Sequence, residues 1–169
     1  MISAAASTFE SRLAILEHLL RAGAEHLQEA EATYLDHRLA PDMLPLGTQV
    51  AYTCNQPRNF ALWLQGKPND NLDAGVTSMA VALRYIAETR EQMVHLLNTP
   101  AALPERMHLL LGGGLEADLT GREYLEDFLL PNFYFHLVTS YAILRNAGVP
   151  VGKKDYMLYL LPKFQQERQ

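Results

Sequence analysis

The residues with the clearest capacity for chemistry lie in an apolar stretch, residues 128–141, towards the end of the chain. Within it, Asn132, His136, Thr139 and Ser140 are spaced at i, i+4 and i+7/i+8, which places them on one face of a helix. Because the stretch is apolar nearly all round, we expect this helix to be buried. An unpaired polar group in a core costs about 1–3 kcal/mol, so these side chains need partners: another helix, water, a ligand or a metal.

Two interpretations of His136 stay open on this basis. It is a core histidine hydrogen-bonded to a neighbouring helix, or it lines a cavity that binds a metal or a small ligand. On an earlier predicted helix, Gln49, Thr53 and Gln56 fall at i, i+4 and i+7. They would face the polar stripe of the later helix, formed by Asn132, His136, Thr139 and Ser140, across a polar pocket. Periodicity alone favours the alternative that these three residues form a solvated shoulder of their helix.

Motifs of well-known enzyme classes are missing from the sequence. It has no His-x-x-x-His or His-Glu-x-x-His pair, no Gly-x-Ser-x-Gly elbow and no Walker loop. A metal site would therefore need unusual ligands, for example a loop residue such as His37 or Asp42. The one cysteine, Cys54, excludes an internal disulfide framework, and we expect it to be a small buried hydrophobe.

Four helical stretches and one hairpin must position these residues. Apolar residues recur at steps of three and four in four segments, namely 8–29, 45–66, 75–98 and 121–147. Residues 106–119 contain a short apolar run at 107–111, the turn Gly112–Gly114, and a segment at 115–119 that alternates apolar with acidic residues, which is typical of a β-hairpin. The pattern predicts an all-α four-helix bundle with a small β-hairpin before the last long helix. We expect a single domain over residues 1–169.

Local signals mark the ends of the second and fourth predicted helices. Pro45 suits the first turn of the second helix, and Gly66 suits its C-terminal stop. Thr120 and Glu123 form the capping-box pattern at the start of the fourth helix. Pro131 lies inside that helix and predicts a kink there.

Composition and charge exclude several classes of partner. The 169 residues are 49% hydrophobic and 20% charged, as in ordinary globular proteins. The net charge of −5 argues against nucleic-acid binding, which usually needs a basic patch. No run of about 18 apolar residues could span a membrane. The N-terminus lacks the pattern of a signal peptide, so we expect a cytoplasmic protein.

Two segments of the sequence resemble a known family. They are Arg38–Leu46, which reads RLAPDMLPL, and Leu130–His136, which reads LPNFYFH and is followed by AILRNAGVP at 142–150. Both are similar to segments of an uncharacterised bacterial domain of unknown function within the DinB/YfiT-like superfamily. The resemblance covers nearly the whole chain. It implies a DinB-like four-helix bundle that is often dimeric.

The same resemblance implies a metal site from which this chain departs. Many members of the superfamily bind a divalent metal through three histidines, one on the second helix and a His-x-x-x-His pair on the fourth. These positions correspond here to Gln56, Asn132 and His136, so one imidazole remains. Neutral amides are poor ligands for zinc or nickel, and the metal site is therefore expected to be degenerate.

Two functions follow as hypotheses, and whether the protein is an enzyme stays open. In the first, the protein binds a small ligand or a partner without a metal, in a pocket formed by Gln56, Asn132, His136, Thr139 and Ser140. In the second, it is a divalent-metal-dependent hydrolase or thiol transferase in which His136 holds zinc or nickel. The resemblance also implies a homodimer. An apolar tail either covers the bundle or pairs with a second chain, through Tyr156, Met157, Tyr159, Leu160, Leu161 and Phe164.

Overall fold

Four long helical stretches build the structure, and shorter elements join them. The computed structural model describes residues 1–164, so residues 165–169 of the predicted domain lie outside it. The N-terminal elements are α1 (Ile2–Leu27), α2 (Glu31–Asp36), α3 (Leu46–Leu64) and α4 (Met79–Leu97). They are followed by β1 (Arg106–Gly112), β2 (Leu115–Thr120), α5 (Gly121–Glu123), a π-helical segment (Tyr124–Leu129), α6 (Leu130–Asn146), α7 (Lys153–Tyr156) and a 3₁₀ helix (Leu158–Lys163).

The long helices pack in two main pairs around an aromatic centre. α1 lies against α4, and α3 lies against both α6 and α4. Phe9 of α1 meets Phe133 of α6 edge-on, with ring centroids 4.9 Å apart, and Phe60 of α3 with centroids 5.8 Å apart. All three rings are fully buried, so one apolar cluster joins three helices. The predicted helical fold with a small hairpin is confirmed.

The first helix begins earlier than the sequence pattern predicts. Residues 8–29 were expected from periodicity, whereas α1 runs from Ile2 to Leu27. Ala5 and Ala6 are buried in its first turns, and alanine favours a helix without adding a marked apolar stripe. The helix ends at Gln28, which adopts a left-handed conformation with φ 53°.

The second predicted helix is α3, which carries much of the candidate site. Gly66, just past its end, has φ 67°, as the sequence predicts, whereas Pro45, expected in the first turn, is the N-cap just before it. Gly47 in its first turn lets the backbone before α4 approach closely. A Cβ at this position would lie 2.0 Å from the carbonyl oxygen of Val76. Thr48 Oγ1 donates to the Ala74 carbonyl at 2.9 Å, so this segment is fixed to the start of α3.

The hairpin and the fourth predicted helix are joined by the expected cap. Thr120 Oγ1 accepts a hydrogen bond from the Glu123 backbone N–H at 3.2 Å, and Glu123 Oε2 accepts one from the Thr120 N–H at 2.7 Å. This reciprocal pair confirms the capping box. In the two-residue turn between β1 and β2, Gly113 and Gly114 have φ of 60° and 79°, the left-handed region that such turns require.

A π-helical segment precedes Pro131 in the fourth predicted helix. The Leu130 N–H reaches back five residues to the Leu125 carbonyl, and Pro131 then lies in the first turn of α6. A proline ring clashes with the carbonyl four residues before it, so the wider π turn accommodates this proline. The helical path therefore continues through residues 121–146.

The apolar tail folds back on α1 and α6. His18 Nε2 on α1 lies 3.1 Å from Asp155 Oδ1 on α7, and the Arg12 guanidinium carbon lies 3.6 Å from the ring centroid of Tyr159. The tail residues from Tyr156 to Leu160 are partly buried. Among residues 1–164, no helix is long and apolar enough to cross a membrane.

Candidate functional site

The interface between α3 and α6 brings His136 and Gln49 together. His136 Nδ1 and Gln49 Oε1 are 2.8 Å apart, although the residues are 87 positions apart in the chain. Gln49 is 1% exposed, beside the apolar residues Leu46 and Val50 of α3. Because α3 and α6 pack along their length, one polar residue from each is placed within hydrogen-bonding distance.

A second hydrogen bond fixes the direction of the first. Gln49 Nε2 donates to the backbone carbonyl of Leu44 at 3.1 Å, just before α3 begins. The amide oxygen of Gln49 therefore faces His136 and can only accept, so His136 Nδ1 must carry the proton. The imidazole is then the tautomer with an unprotonated Nε2.

The surroundings of His136 keep its ring uncharged. Burial lowers the pKa of the His136 imidazole from its usual 6.5 to about 4. The neighbouring rings are Tyr52 of α3 and Phe135, each edge-on with its centroid 5.2 Å from that of the imidazole. None of the described carboxylates pairs with this histidine, so nothing offsets the loss of hydration on protonation. The ring is neutral at pH 7.

The free ring nitrogen is accessible from outside the protein. Nε2 of His136 has no hydrogen-bond partner within residues 1–164. In that part of the chain, the fully buried side-chain atoms without a partner are Arg12 Nε, Gln92 Oε1 and Tyr124 Oη. Since His136 Nε2 is not among them, it reaches solvent and presents an open lone pair.

The other predicted site residues bond within their own helices. Thr139 Oγ1 donates to the Phe135 carbonyl at 2.7 Å, and Ser140 Oγ donates to the His136 carbonyl at 2.9 Å. Asn132 donates to the Phe128 carbonyl at 2.7 Å. Each side chain thus satisfies its donor four residues back, as serine and threonine commonly do in helices.

On α3, the three polar residues have different partners. Gln56 Nε2 donates to the Tyr52 carbonyl at 3.3 Å, and Thr53 Oγ1 donates to the Gln49 carbonyl at 2.8 Å. Only Gln49 of this set bonds to the stripe on α6. Tyr52, three residues after Gln49, was missed as a neighbour of His136, although its i+3 spacing places it on the same face of α3.

The residues do not fit a divalent metal ion at this place. His136 supplies one imidazole, and the amide nitrogens of Asn132 and Gln56 are turned to helix carbonyls. Nowhere in residues 1–164 do three His, Cys, Asp or Glu side chains converge in a way that could hold a metal. His37 Nε2 lies 2.7 Å from Glu29 Oε2, so the suggested loop histidine is already engaged. A zinc or nickel ion needs several strong donors, and this donor set provides one.

Comparison with known proteins places the chain in a family. Residues 1–157 match the family described as Domain of unknown function (DUF1993). The fold is similar to the crystal structure of a DinB family member protein from Shewanella denitrificans, with a TM-score of 0.74 and 26% sequence identity. That similarity covers 97% of this chain and 92% of the other. No functionally curated protein matches the sequence. The chain belongs to the DUF1993 family and has a DinB-like helical fold.

Proposed function

We propose that the protein binds a small organic ligand without a metal, and that His136 is the group that recognises it. The observation that carries this proposal is the ordered pair of hydrogen bonds from His136 to Gln49 and from Gln49 to the Leu44 carbonyl. It fixes the ring, its tautomer and the direction of its free lone pair. Such preorganisation reduces the entropy lost when a ligand is bound.

The chemistry of the site selects the kind of ligand. An unprotonated Nε2 is a hydrogen-bond acceptor, so it pairs with a hydroxyl or N–H group. The imidazole stays neutral at pH 7 and provides no charge to attract an anion. The adjacent rings of Tyr52 and Phe135 offer apolar contact. The ligand class is therefore a small neutral molecule with an apolar part and one donor group.

The metal-dependent alternative uses the same histidine. Histidine ligands commonly donate one ring N–H to a carbonyl and bind the metal through the other nitrogen, and His136 has this arrangement. A hydrolase or thiol transferase would need at least two further strong ligands near Nε2. The amide groups of Asn132 and Gln56, at the positions expected for these ligands, point to their own helices.

The proposal includes a homodimer formed through the outer face of α6. Phe135 and Val138 lie one turn apart on this face and are 57% and 45% exposed, and Leu44, next to the site, is 44% exposed. Adjacent exposed apolar side chains of this kind mark contact surfaces. A partner here would cover the edge of the His136 site. The proposal also includes a cytoplasmic location, where a free thiol such as that of Cys54 stays reduced.

Lowering the pH should destabilise the wild type more than a His136→Gln variant. The unfolded chain takes up a proton on His136 below about pH 6.5, whereas the folded chain does so only near pH 4. Stability is therefore lost as the pH falls through this window. After allowance for partial exposure of the ring, we expect an additional loss of about 1–2 kcal/mol between pH 7 and pH 4.5. Urea unfolding of both proteins measures it, and parallel pH profiles would contradict a neutral buried His136.

Protein purified without an affinity tag should carry an organic adduct and no stoichiometric metal. We expect native mass spectra of the wild type to show a bound species that is missing from His136→Leu and weakened in His136→Gln. Elemental analysis after loading with zinc or nickel should give far less than one ion per chain in the wild type and in both His136 variants.

The opposite results would separate the two hypotheses. About one zinc or nickel ion per chain in the wild type, lost in His136→Gln, would establish the metal-dependent alternative. Bare protein in repeated preparations would contradict ligand binding. The matched control is Thr139→Val, which removes a hydroxyl that bonds only within α6 and should leave the adduct unchanged.

An aspartate at an exposed α6 position should abolish the homodimer. Phe135→Asp places a charge in the proposed interface, and a charge buried there without a partner weakens association. Sedimentation velocity should give a dimer for the wild type and a 19.0 kDa monomer for the variant. Leu110→Asp, at an exposed position on the hairpin, is the control that should remain dimeric. A wild type that is monomeric at tens of micromolar would contradict the proposed dimer.

A further inference from the structure

The C-terminal segment forms an open groove that the His136 site does not use. The groove has a volume of about 570 Å³, within the range of ligand pockets. Its lining comes entirely from α7 and the residues that follow it, namely Lys153, Lys154, Met157, Leu158, Leu160, Leu161 and Phe164. Apart from the two lysines, every lining side chain is apolar.

The walls of this groove are anchored to the rest of the fold. Tyr156 packs against Tyr141 of α6, with ring centroids 5.8 Å apart, and the Arg12 guanidinium of α1 lies over Tyr159. Asp155 bonds to His18 and accepts the Gly152 N–H at 2.8 Å. The turn that carries the lysines is therefore held in place before any ligand arrives.

The two lysines supply a positive charge that has no internal partner in the described chain. Lys153 and Lys154 are exposed, and neither forms an ion pair with a carboxylate of residues 1–164. The nearest acidic residue in sequence, Asp155, is engaged by His18. Beyond them, Leu161 and Phe164 are 57% and 67% exposed. The groove thus has an apolar lining together with two ammonium groups.

We infer that this groove binds a single amphiphile with a long alkyl chain and a carboxylate head group. The apolar side chains take the alkyl chain out of water, which is the main driving force for such binding. The ammonium groups of Lys153 and Lys154 pair with the carboxylate. A cationic head group would be repelled by the same two ammonium groups, so charge selects an anionic amphiphile.

Isothermal titration with monomeric laurate, below its micellar concentration, tests the inference. We expect one laurate per chain, and affinity that rises by up to about fourfold for each methylene added from octanoate to laurate. Lys153→Glu/Lys154→Glu should weaken laurate binding by about tenfold or more. Lys67→Glu/Arg84→Glu makes the same change in net charge at exposed positions elsewhere and should bind as the wild type does.

Three binding results would overturn the inference, and so would one result on the oligomeric state. The binding results are equal affinity for dodecyltrimethylammonium, which has the same chain with a cationic head; unchanged laurate affinity in Lys153→Glu/Lys154→Glu; and binding to phosphatidylglycerol vesicles without binding to monomeric laurate. A dimer that Leu161→Asp dissociates and that laurate does not displace would assign the groove to a second copy instead. His136→Gln should keep full laurate affinity, so this test is independent of the proposed function.

Discussion

The hydrogen bond between His136 and Gln49 joins α6 to α3, and the Gln49 side chain that makes it is 1% exposed. A buried amide or imidazole without a partner would cost about 1–3 kcal/mol, so the two side chains hold each other in one orientation. The Leu44 carbonyl completes the arrangement by fixing the amide of Gln49. Everything proposed for this site depends on that orientation, because it decides which ring nitrogen is protonated and which is free.

The neighbouring polar residues show why one imidazole does not make a metal site. Asn132 and Gln56 occupy positions at which related proteins are expected to carry histidines, but each donates to a carbonyl one turn back. An amide that is satisfied locally has little reason to turn towards a cation. His136 lies on α6 beside Gln49, Tyr52 and Phe135, and these surroundings suit a neutral hydrogen-bond acceptor. Fold and chemistry are separable properties here.

Periodicity and caps predicted the helices and the hairpin, because these features are local. Pro45 and Gly66 bound α3, and Thr120 with Glu123 caps the start of the fourth helical stretch. The early start of α1 was missed, since an alanine-rich turn adds little to an apolar stripe. Pro131 predicts a kink, but the sequence pattern does not indicate that a π turn accommodates its ring.

Only part of the candidate site could be predicted from the sequence, because its contacts depend on side-chain rotamers and on backbone groups of other segments. Spacing places His136 on a buried face and offers Gln49 as a residue opposite it, although periodicity alone favours a solvated shoulder for Gln49. The structure instead buries Gln49 and pairs it with His136. The partner that orients Gln49 is a backbone carbonyl, and any residue type at position 44 would supply it. Whether Asn132, Thr139 and Ser140 bond across helices or within their own depends on rotamers, which sequence spacing does not determine. The groove near Lys153 depends on how side chains pack within the tail, which apolar periodicity does not determine.

The most direct test of the central claim is the tautomer of His136 at pH 7, read from long-range proton–nitrogen correlation spectra of ¹⁵N-labelled protein and assigned with the His136→Gln variant. The account predicts a neutral ring with the proton on Nδ1 and an unprotonated Nε2. A proton on Nε2, or a charged imidazolium at this pH, would contradict it, because the ring would then present a donor where the proposed ligand needs an acceptor.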